Sequence, residues 1–353
     1  MYRLKKKIQF RYLLLVLFLG AAFIDSFLIL RLQKFEKDFS QIMLSQVSIG
    51  ARETEDKSIT LMFVGDIMLD RGVEYMAEKY GNKDYSELRS IYPIGYKFPF
   101  FKIAENLKMA DILFGNLEGP VSDKGIKVGS IYSFRADPKA IEGLTFAGFD
   151  ILSVTNNHIL DYGRPAMEDT FSRLKESGIN YVGGGFSEEE ARNPVIKEIK
   201  GVKIAFLSYT NLGSKNWAAK KDFSGIAWLA EDNIKEDVKK ASNRADLVIV
   251  SFHFGDEYQT QSNSEQKYFS HLAVDYGADL VVGHHPHVAQ EVEQYKKSYI
   301  AYSLGNFIFD QGFSEETMRG LLLKVIIEDG KIKTATPIKI KINEYFQPEL
   351  LVQ

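Results

Sequence analysis

Five of the chain's six histidines, with several carboxylates and amides, stand directly after short apolar runs. TLMFVG (60–65) leads into Asp66, and DILFGN (111–116) into Leu117 and Glu118. DILSVT (150–155) leads into Asn156, Asn157, His158 and, three residues on, Asp161. DLVIVSF (246–252) is followed by His253, Gly255, Asp256 and Glu257, and DLVVG (279–283) by His284, His285 and His287. Each residue type has an ordinary structural use: an Asp after a strand caps a helix or turn, and an Asn holds a loop through its own side chain. Together they make a mixed set of imidazole, carboxylate and amide oxygen. Such a set suits Zn, Mn or Fe(II) and is unlike the all-oxygen cage of calcium. Pro286 disfavours helix at His285, so HHPH (284–287) reads as a short extended loop that aims His285 and His287 at one place. His271 lies within the helical stretch EQKYFSHLAVDYG, outside these segments, and reads as structural.

Delivering such side chains to one place requires elements that end together. Strand candidates are the five runs above with KIAFLSY (203–209), SYIAYSLG (298–305) and LLLKVIIE (321–328). Helix candidates lie between them at 71–80, 100–109, 138–147, 165–177, 231–243 and 264–276. Strands alternating with helices indicate an α/β fold, and open α/β sheets bind ligands beyond the carboxyl ends of their strands. YKFPFF (96–101) reads as core packing rather than a cleft lining. No internal repeat or strong break follows residue 58, so residues 59–353 form one expected domain.

The N-terminus has a different character. MYRLKKKIQFR (1–11) carries five cations and no acid, and Tyr12 to Leu30 is a nineteen-residue apolar stretch. As a helix it spans roughly 28 Å, close to the hydrocarbon thickness of a bilayer. The cationic flank predicts residues 1–11 in the cytoplasm, 12–30 as a single transmembrane anchor and the rest outside the cell. Asp25 falls in the outer third of the span, where a carboxylate costs less than at the centre. A cleaved signal peptide with a Gly20-Ala21-Ala22 region is the alternative; the anchor is preferred because apolar residues continue to Leu30. Residues 31–58 read as a linker, helical where Leu32, Phe35, Phe39 and Ile42 recur at three- and four-residue spacing.

Composition narrows the chemistry further. The 353 residues are 45% hydrophobic and 13% aromatic, which excludes disorder throughout. Forty-four Lys and Arg against forty-seven Asp and Glu leave a net charge of −3, which does not suggest a nucleic-acid binder. With no Cys, thiol catalysis, Cys-ligated zinc and disulfides are excluded.

The ordered segments GD (65–66), GNLEG (115–119), TNNHILDYG (155–163), HFGDE (253–257), GHHPH (283–287) and YSLGNFIFD (302–310) resemble the CapA/PgsA family of poly-γ-glutamate capsule synthesis proteins, a branch of the calcineurin-like metallophosphoesterases. The resemblance covers roughly residues 59–312 and implies a four-layer α/β/β/α sandwich with a site at its strand ends. It implies two divalent cations, Mn, Zn or Fe. Asp66 matches the first-strand ligand, Glu118 the bridging position, Asn157 and His253 the second-metal ligands, and His285 with His287 the closing pair. His158 matches the group that protonates a leaving oxygen or stabilises the transition state, with Asp161 orienting it. The pattern departs in three places. Asp66-Ile67-Met68 lacks the imidazole of the usual Asp-x-His, Gly115-Asn116-Leu117-Glu118 replaces Gly-Asp-x-x-Asp, and His284 competes with His285. Spacing favours His285-x-His287, leaving His284 as a supporting or third ligand.

The implied function is metal-dependent hydrolysis at the outer face of the membrane, in synthesis or export of capsular poly-γ-glutamate, on that anionic polymer or a phosphoester. The alternative is a non-catalytic accessory subunit that binds the polymer or other membrane subunits of the synthesis complex. Arg71 and Arg135 are candidate guanidinium donors to the anion, because the planar fork fits carboxylate or phosphate; surface ion pairing is the competing use of both.

Overall fold

The structure is a computed structural model that describes residues 57–81 and 95–351. The expected anchor at 12–30, the basic tail and all of the linker but Lys57 and Ser58 lie outside the described residues. Among the described residues no helix is long and apolar enough to cross a membrane.

In chain order the elements are β1 (Ile59–Ile67), α1 (Arg71–Gly81), a 3-10 turn (Gly95–Phe100), α2 (Ala104–Leu107), β2 (Ile112–Leu117), α3 (Ala140–Ala147), β3 (Ile151–Ser153), α4 (Gly163–Glu176) and β4 (Asn180–Val182). Then come β5 (Gly184–Gly185), α5 (Glu188–Arg192), β6 (Val195–Ile199), β7 (Val202–Thr210), β8 (Gly225–Ile226), α6 (Glu231–Ser242), β9 (Leu247–His253), α7 (Ser264–Asp275) and β10 (Leu280–His284). The chain closes with β11 (Val292–Tyr295), β12 (Ser298–Ala301), β13 (Asn306–Ile308), β14 (Arg319–Glu328), β15 (Lys331–Ile342) and β16 (Pro348–Leu350).

The strands form two large sheets. One runs β16-β15-β14-β1-β2-β3-β4, with β13 also paired to β1; the other runs β11-β12-β10-β9-β7-β6. Strands β1, β2, β3 and β4 are mutually parallel, as are β7, β9, β10 and β12. The outer members β14, β15, β16, β6 and β11 pair antiparallel.

Strand alternation explains the layering. Along β1, Leu61 and Phe63 face the second sheet, while Met62 and Val64 join the packing of α1, α3 and α4. Along β9, Leu247 and Ile249 face the first sheet, while Val248, Val250 and Phe252 join Ile234 and Val238 of α6 and Ala273 of α7. Both faces of the central strands are therefore covered, which is why they read as nearly continuous apolar runs. Helices, sheet, sheet and helices make four layers, as expected. The aromatic pair Phe114 and Phe206 stacks across the inter-sheet core, ring centroids 6.0 Å apart. Tyr96, Phe98 and Phe100 are buried in packing, as read from YKFPFF.

Several outcomes differ from the strand and helix expectations, the short and edge strands β4, β5, β6, β8, β11, β13 and β16 among them. Of the expected helix at 100–109 only Ala104–Leu107 is α-helical, and it follows the 3-10 turn Gly95–Phe100 that contains Pro99. β15 was not anticipated. Its alternation is masked by Pro337 and by lysines on its exposed face, features that suit a strand near a sheet edge.

Candidate metal centre

The strand ends converge as the spacing predicts. Parallel pairing sets Asp66 level with Asn116 on one side and with Asn306 on the other. In the second sheet it sets His253 level with His284. Gly65 makes the junction close: a Cβ there would overlap the carbonyl oxygen of Gly305, which accepts the Asp66 amide at 3.0 Å.

Asp66 is fully buried. Its Oδ1 accepts from Asn116 Nδ2 at 2.8 Å and its Oδ2 from the His285 backbone amide at 3.2 Å. His284 Nδ1 lies 3.5 Å from Oδ1 and His287 Nδ1 3.4 Å from Oδ2. Burial alone pushes this carboxyl up, but the imidazoles of His284 and His287 outweigh it and hold Asp66 well below the usual carboxylate range.

Glu118 behaves oppositely. Burial, then the charges of Asp66, Glu257 and Asp161, drive its carboxyl well above the ordinary value. Its Oε2 accepts from Asn116 Nδ2 at 3.2 Å, whereas its buried Oε1 has no hydrogen-bond partner among the described residues. That oxygen lies 3.6 Å from His287 Nε2 and 3.9 Å from His158 Nε2. A buried carboxylate oxygen without a partner is costly.

His253 joins the two sheets. Its Nε2 stands 2.8 Å from Asn157 Oδ1 and its Nδ1 3.3 Å from Asn116 Nδ2. Burial lowers its pKa well below the free value, and the neighbouring His285 adds to this. His285 is pushed down to about 3 by burial and by His287. Both shifts favour the neutral ring, the form whose lone pair a cation requires.

Ligand-type atoms within 4.8 Å of one another fall into two groups, Asp66 with Glu118 and His253, and Glu257 with His285 and His287. Asn157 adjoins the first group through His253. Glu118 lies between the groups through the contacts of its Oε1. His284, buried at the end of β10 beside Asp66, has both ring nitrogens unsatisfied among the described residues. The structure thus brings Asp66, Glu118, Asn157, His253, His285 and His287 together. Its orphaned buried polar atoms and mixed nitrogen and oxygen set are compatible with a metal site.

His158 borders the same space. Its Nδ1–H donates to Asp161 Oδ2 at 2.8 Å, and that oxygen also accepts the Phe134 amide at 2.8 Å. Phe134 packs on the imidazole at a centroid distance of 4.2 Å. With Nδ1 committed, Nε2 is the atom that faces the site.

Both arginines have partners within the protein. Arg71 forms a bidentate pair with Asp310, its guanidinium 4.8 Å from the Phe134 ring centroid. Arg135 donates from Nη1 to the carbonyls of Lys124 and Gly125 and lies 4.2 Å above the Tyr162 ring. His271 contacts Glu293 and stacks on Tyr295, as befits a structural residue. Met68, in the place of the missing imidazole, is buried in the apolar core.

Three residues at the centre were not singled out from the sequence. Asn116 contacts Asp66, Glu118 and His253 at once. Asn306 Oδ1 accepts from His287 Nδ1 at 3.0 Å, and Glu257 reaches the histidine loop. Asn116 and Glu257 sit in quoted segments from which Glu118 and His253 were chosen. Asn306 sits in the quoted segment YSLGNFIFD, and its place beside Asp66 follows from the pairing of β13 with β1.

Residues 60–311 match the family described as Bacterial capsule synthesis protein PGA_cap. The chain is 33% identical over 301 residues to the capsule biosynthesis protein CapA of Bacillus anthracis, covering 83% of this chain and 70% of that protein. It is 32% identical over 308 residues to the PGA biosynthesis protein CapA of Bacillus subtilis, covering 84% and 77%. Among solved structures it is similar to the NAD nucleotidase of Haemophilus influenzae, with 10% identity, a TM-score of 0.44, and 84% and 54% of the two chains covered.

Proposed function

This chain belongs to the family of bacterial capsule synthesis proteins, and from that premise we propose that it is a metal-dependent hydrolase acting on an anionic capsule polymer of the poly-γ-glutamate type or on a phosphoester. The observation that carries this reading is the buried Glu118 Oε1, which has no hydrogen-bond partner among the described residues and faces the Nε2 atoms of His287 and His158. Carboxylates and neutral imidazoles packed this way are stabilised by a cation.

Asp66, Glu118, Asn157 and His253 would hold a buried divalent ion, with His285 and His287 adjoining it. When bound, such ions supply Lewis-acid polarisation of the scissile group and activation of a nucleophile at neutral pH. The remaining roles belong to the chain. Asp161 fixes the His158 ring, and protonated Nε2 is the atom from which a leaving oxygen or nitrogen takes its proton. Phe134 covers one ring face and limits water there. The stretch at 12–30 anchors the protein in the cell membrane, with residues 59–353 on the outer side beside other membrane subunits of the synthesis complex; this part rests on the sequence pattern alone.

The full chain, purified and loaded with Mn or Zn, is assayed on phosphoesters and on poly-γ-glutamate. Turnover that is abolished in His158→Ala and Asp66→Ala, with circular dichroism unchanged, supports hydrolysis. Bound metal without turnover on either substrate class overturns it in favour of a polymer-binding accessory subunit. Protease shaving of intact cells tests the membrane orientation: degradation of residues 59–353 supports it, and protection until lysis counts against it.

A further inference from the structure

The candidate centre is flanked by apolar side chains on two sides. On the His158 side, Ile126, Val128, Ile131 and Tyr132 are 80%, 59%, 81% and 63% exposed within one loop. On the His287 side, the Tyr258 ring centroid lies 6.1 Å from that of the imidazole, and the exposed Phe313 meets Tyr258 edge to face at 5.1 Å. Burial, then the charge of Glu257, raises the Tyr258 phenol to about 12, and Tyr132 adds to this, so the two flanks lie within electrostatic reach of each other. Single exposed apolar residues need no explanation, but a cluster of them beside a site marks an interaction surface.

The loop is built to hold this exposure. The Val128 amide donates to the Asp161 carbonyl at 2.9 Å and the Phe134 amide to the Asp161 carboxylate at 2.8 Å. The Ser133 hydroxyl donates to the Ser130 carbonyl at 2.8 Å and the Tyr132 amide to Ser130 Oγ at 3.0 Å. Gly125 sits so close to the Tyr162 carbonyl oxygen that a Cβ would overlap it. The main chain thus turns its hydrogen bonds inward and presents apolar side chains outward, next to the carboxylate that orients His158.

The charges around the centre do not suit a polyanion. Asp256 and Glu257 are exposed on the His287 side. Arg71 pairs with Asp310, Arg135 with main-chain carbonyls and Lys124 with Asp169. Lys127, exposed in the loop itself, is one cation against a polymer that carries a carboxylate on every residue.

Resting on the hydrolase reading above, we infer that the substrate is a phosphoester of a hydrocarbon alcohol, whose chain lies on Ile131, Tyr132 and their loop while its phosphoryl group enters the candidate centre. Water adds its oxygen to phosphorus and the P–O bond to the alcohol breaks. The departing oxygen takes its proton from His158 Nε2, and a proton of the attacking water replaces it. The products are the free alcohol and inorganic phosphate.

Alkylphosphonates test this without turnover, because their P–C bond is not hydrolysed. The full chain, purified in detergent and loaded with Mn, is titrated calorimetrically with methyl-, butyl- and hexylphosphonate, inorganic phosphate and a γ-linked glutamate oligomer, with protein-free detergent as the blank. Affinity should rise about fourfold for each methylene buried. In the double variant Ile131→Ser with Tyr132→Ser, hexylphosphonate should weaken at least about tenfold, toward an unchanged methylphosphonate value. Phe186→Ser, at an exposed aromatic of another loop, should alter neither. A flat series, a gradient retained in the double variant, or tighter binding of the glutamate oligomer than of hexylphosphonate overturns the inference and leaves metal-dependent hydrolysis standing. Binding of neither phosphate nor any phosphonate overturns the phosphoester reading and this inference together.

Discussion

The Asn157 side-chain oxygen stands 2.8 Å from His253 Nε2, across 96 residues of sequence and from the opposite sheet. Asn157 follows β3, His253 ends β9, and the two sheets meet at this contact. The candidate centre therefore belongs to neither sheet alone, and what disturbs their packing disturbs the ligands.

Metal binding should stabilise the fold. At a free metal concentration 100 times the dissociation constant the gain is about 2.7 kcal/mol. Chelator should lower the midpoint of thermal unfolding and added Mn or Zn should restore it. Asp66→Ala should show neither response, and an equal response from that variant would place the ions elsewhere.

If the chain is a hydrolase, His158→Ala should lower kcat by about 10²–10⁴-fold, the usual loss for a general acid. Asp161→Asn should weaken catalysis less and displace the pH profile, because the ring loses the carboxylate that fixes its tautomer. An unchanged profile in Asp161→Asn would count against its positioning role.

Asp169 anchors the segment that follows Glu118. Its carboxylate accepts from Ser122 Oγ at 2.7 Å and Arg173 Nε at 2.6 Å, and Lys124 Nζ lies at 2.7 Å. Burial alone would raise its pKa, but hydrogen bonds from Lys124, Ser122 and Arg173 outweigh burial and leave it below the free value of 3.8. Its contribution to stability is thus present above about pH 4 and is lost as pH falls through the depressed folded value. Asp169→Asn should cost roughly 1.5–3 kcal/mol at neutral pH and less in acid. Urea unfolding at pH 7 and pH 3 checks this, and an equal cost at both values would refute it.

Gly65→Ala should release Asp66. The added methyl collides with the Gly305 carbonyl, so β1 and β13 must separate just where Asp66 is aimed. Loss of bound metal in this variant, together with a lower unfolding midpoint, is expected; full metal content would show that the strands tolerate the methyl.

Phe114→Ala should cost about 3–5 kcal/mol, typical of a phenylalanine removed from a packed core. Phe114 fills the space between the sheets against Phe63 and Phe206, and its ring centroid lies 6.4 Å from that of His284. Metal affinity should fall with stability in denaturant titrations, whereas a surface substitution such as Lys331→Ala should move neither.

The sequence by itself determined the α/β alternation, the main parallel strands and the polar residues at their carboxyl ends, because local spacing and apolar periodicity carry that information. Residue type suggested a mixed metal-ligand set, and the resemblance of the motifs to a known family pointed to Asp66, Glu118, Asn157, His253, His285 and His287 within it. Only the tertiary structure decided how these are grouped. Asn116 lies among three of them because β2 pairs with β1 in register, and Asn306 supports His287 because β13 returns to β1 from far along the chain. The engagement of Arg71 by Asp310, 239 residues away, was equally invisible. Hydrogen-bond partners so distant in sequence leave no local pattern; they exist only once the sheets have closed on one another.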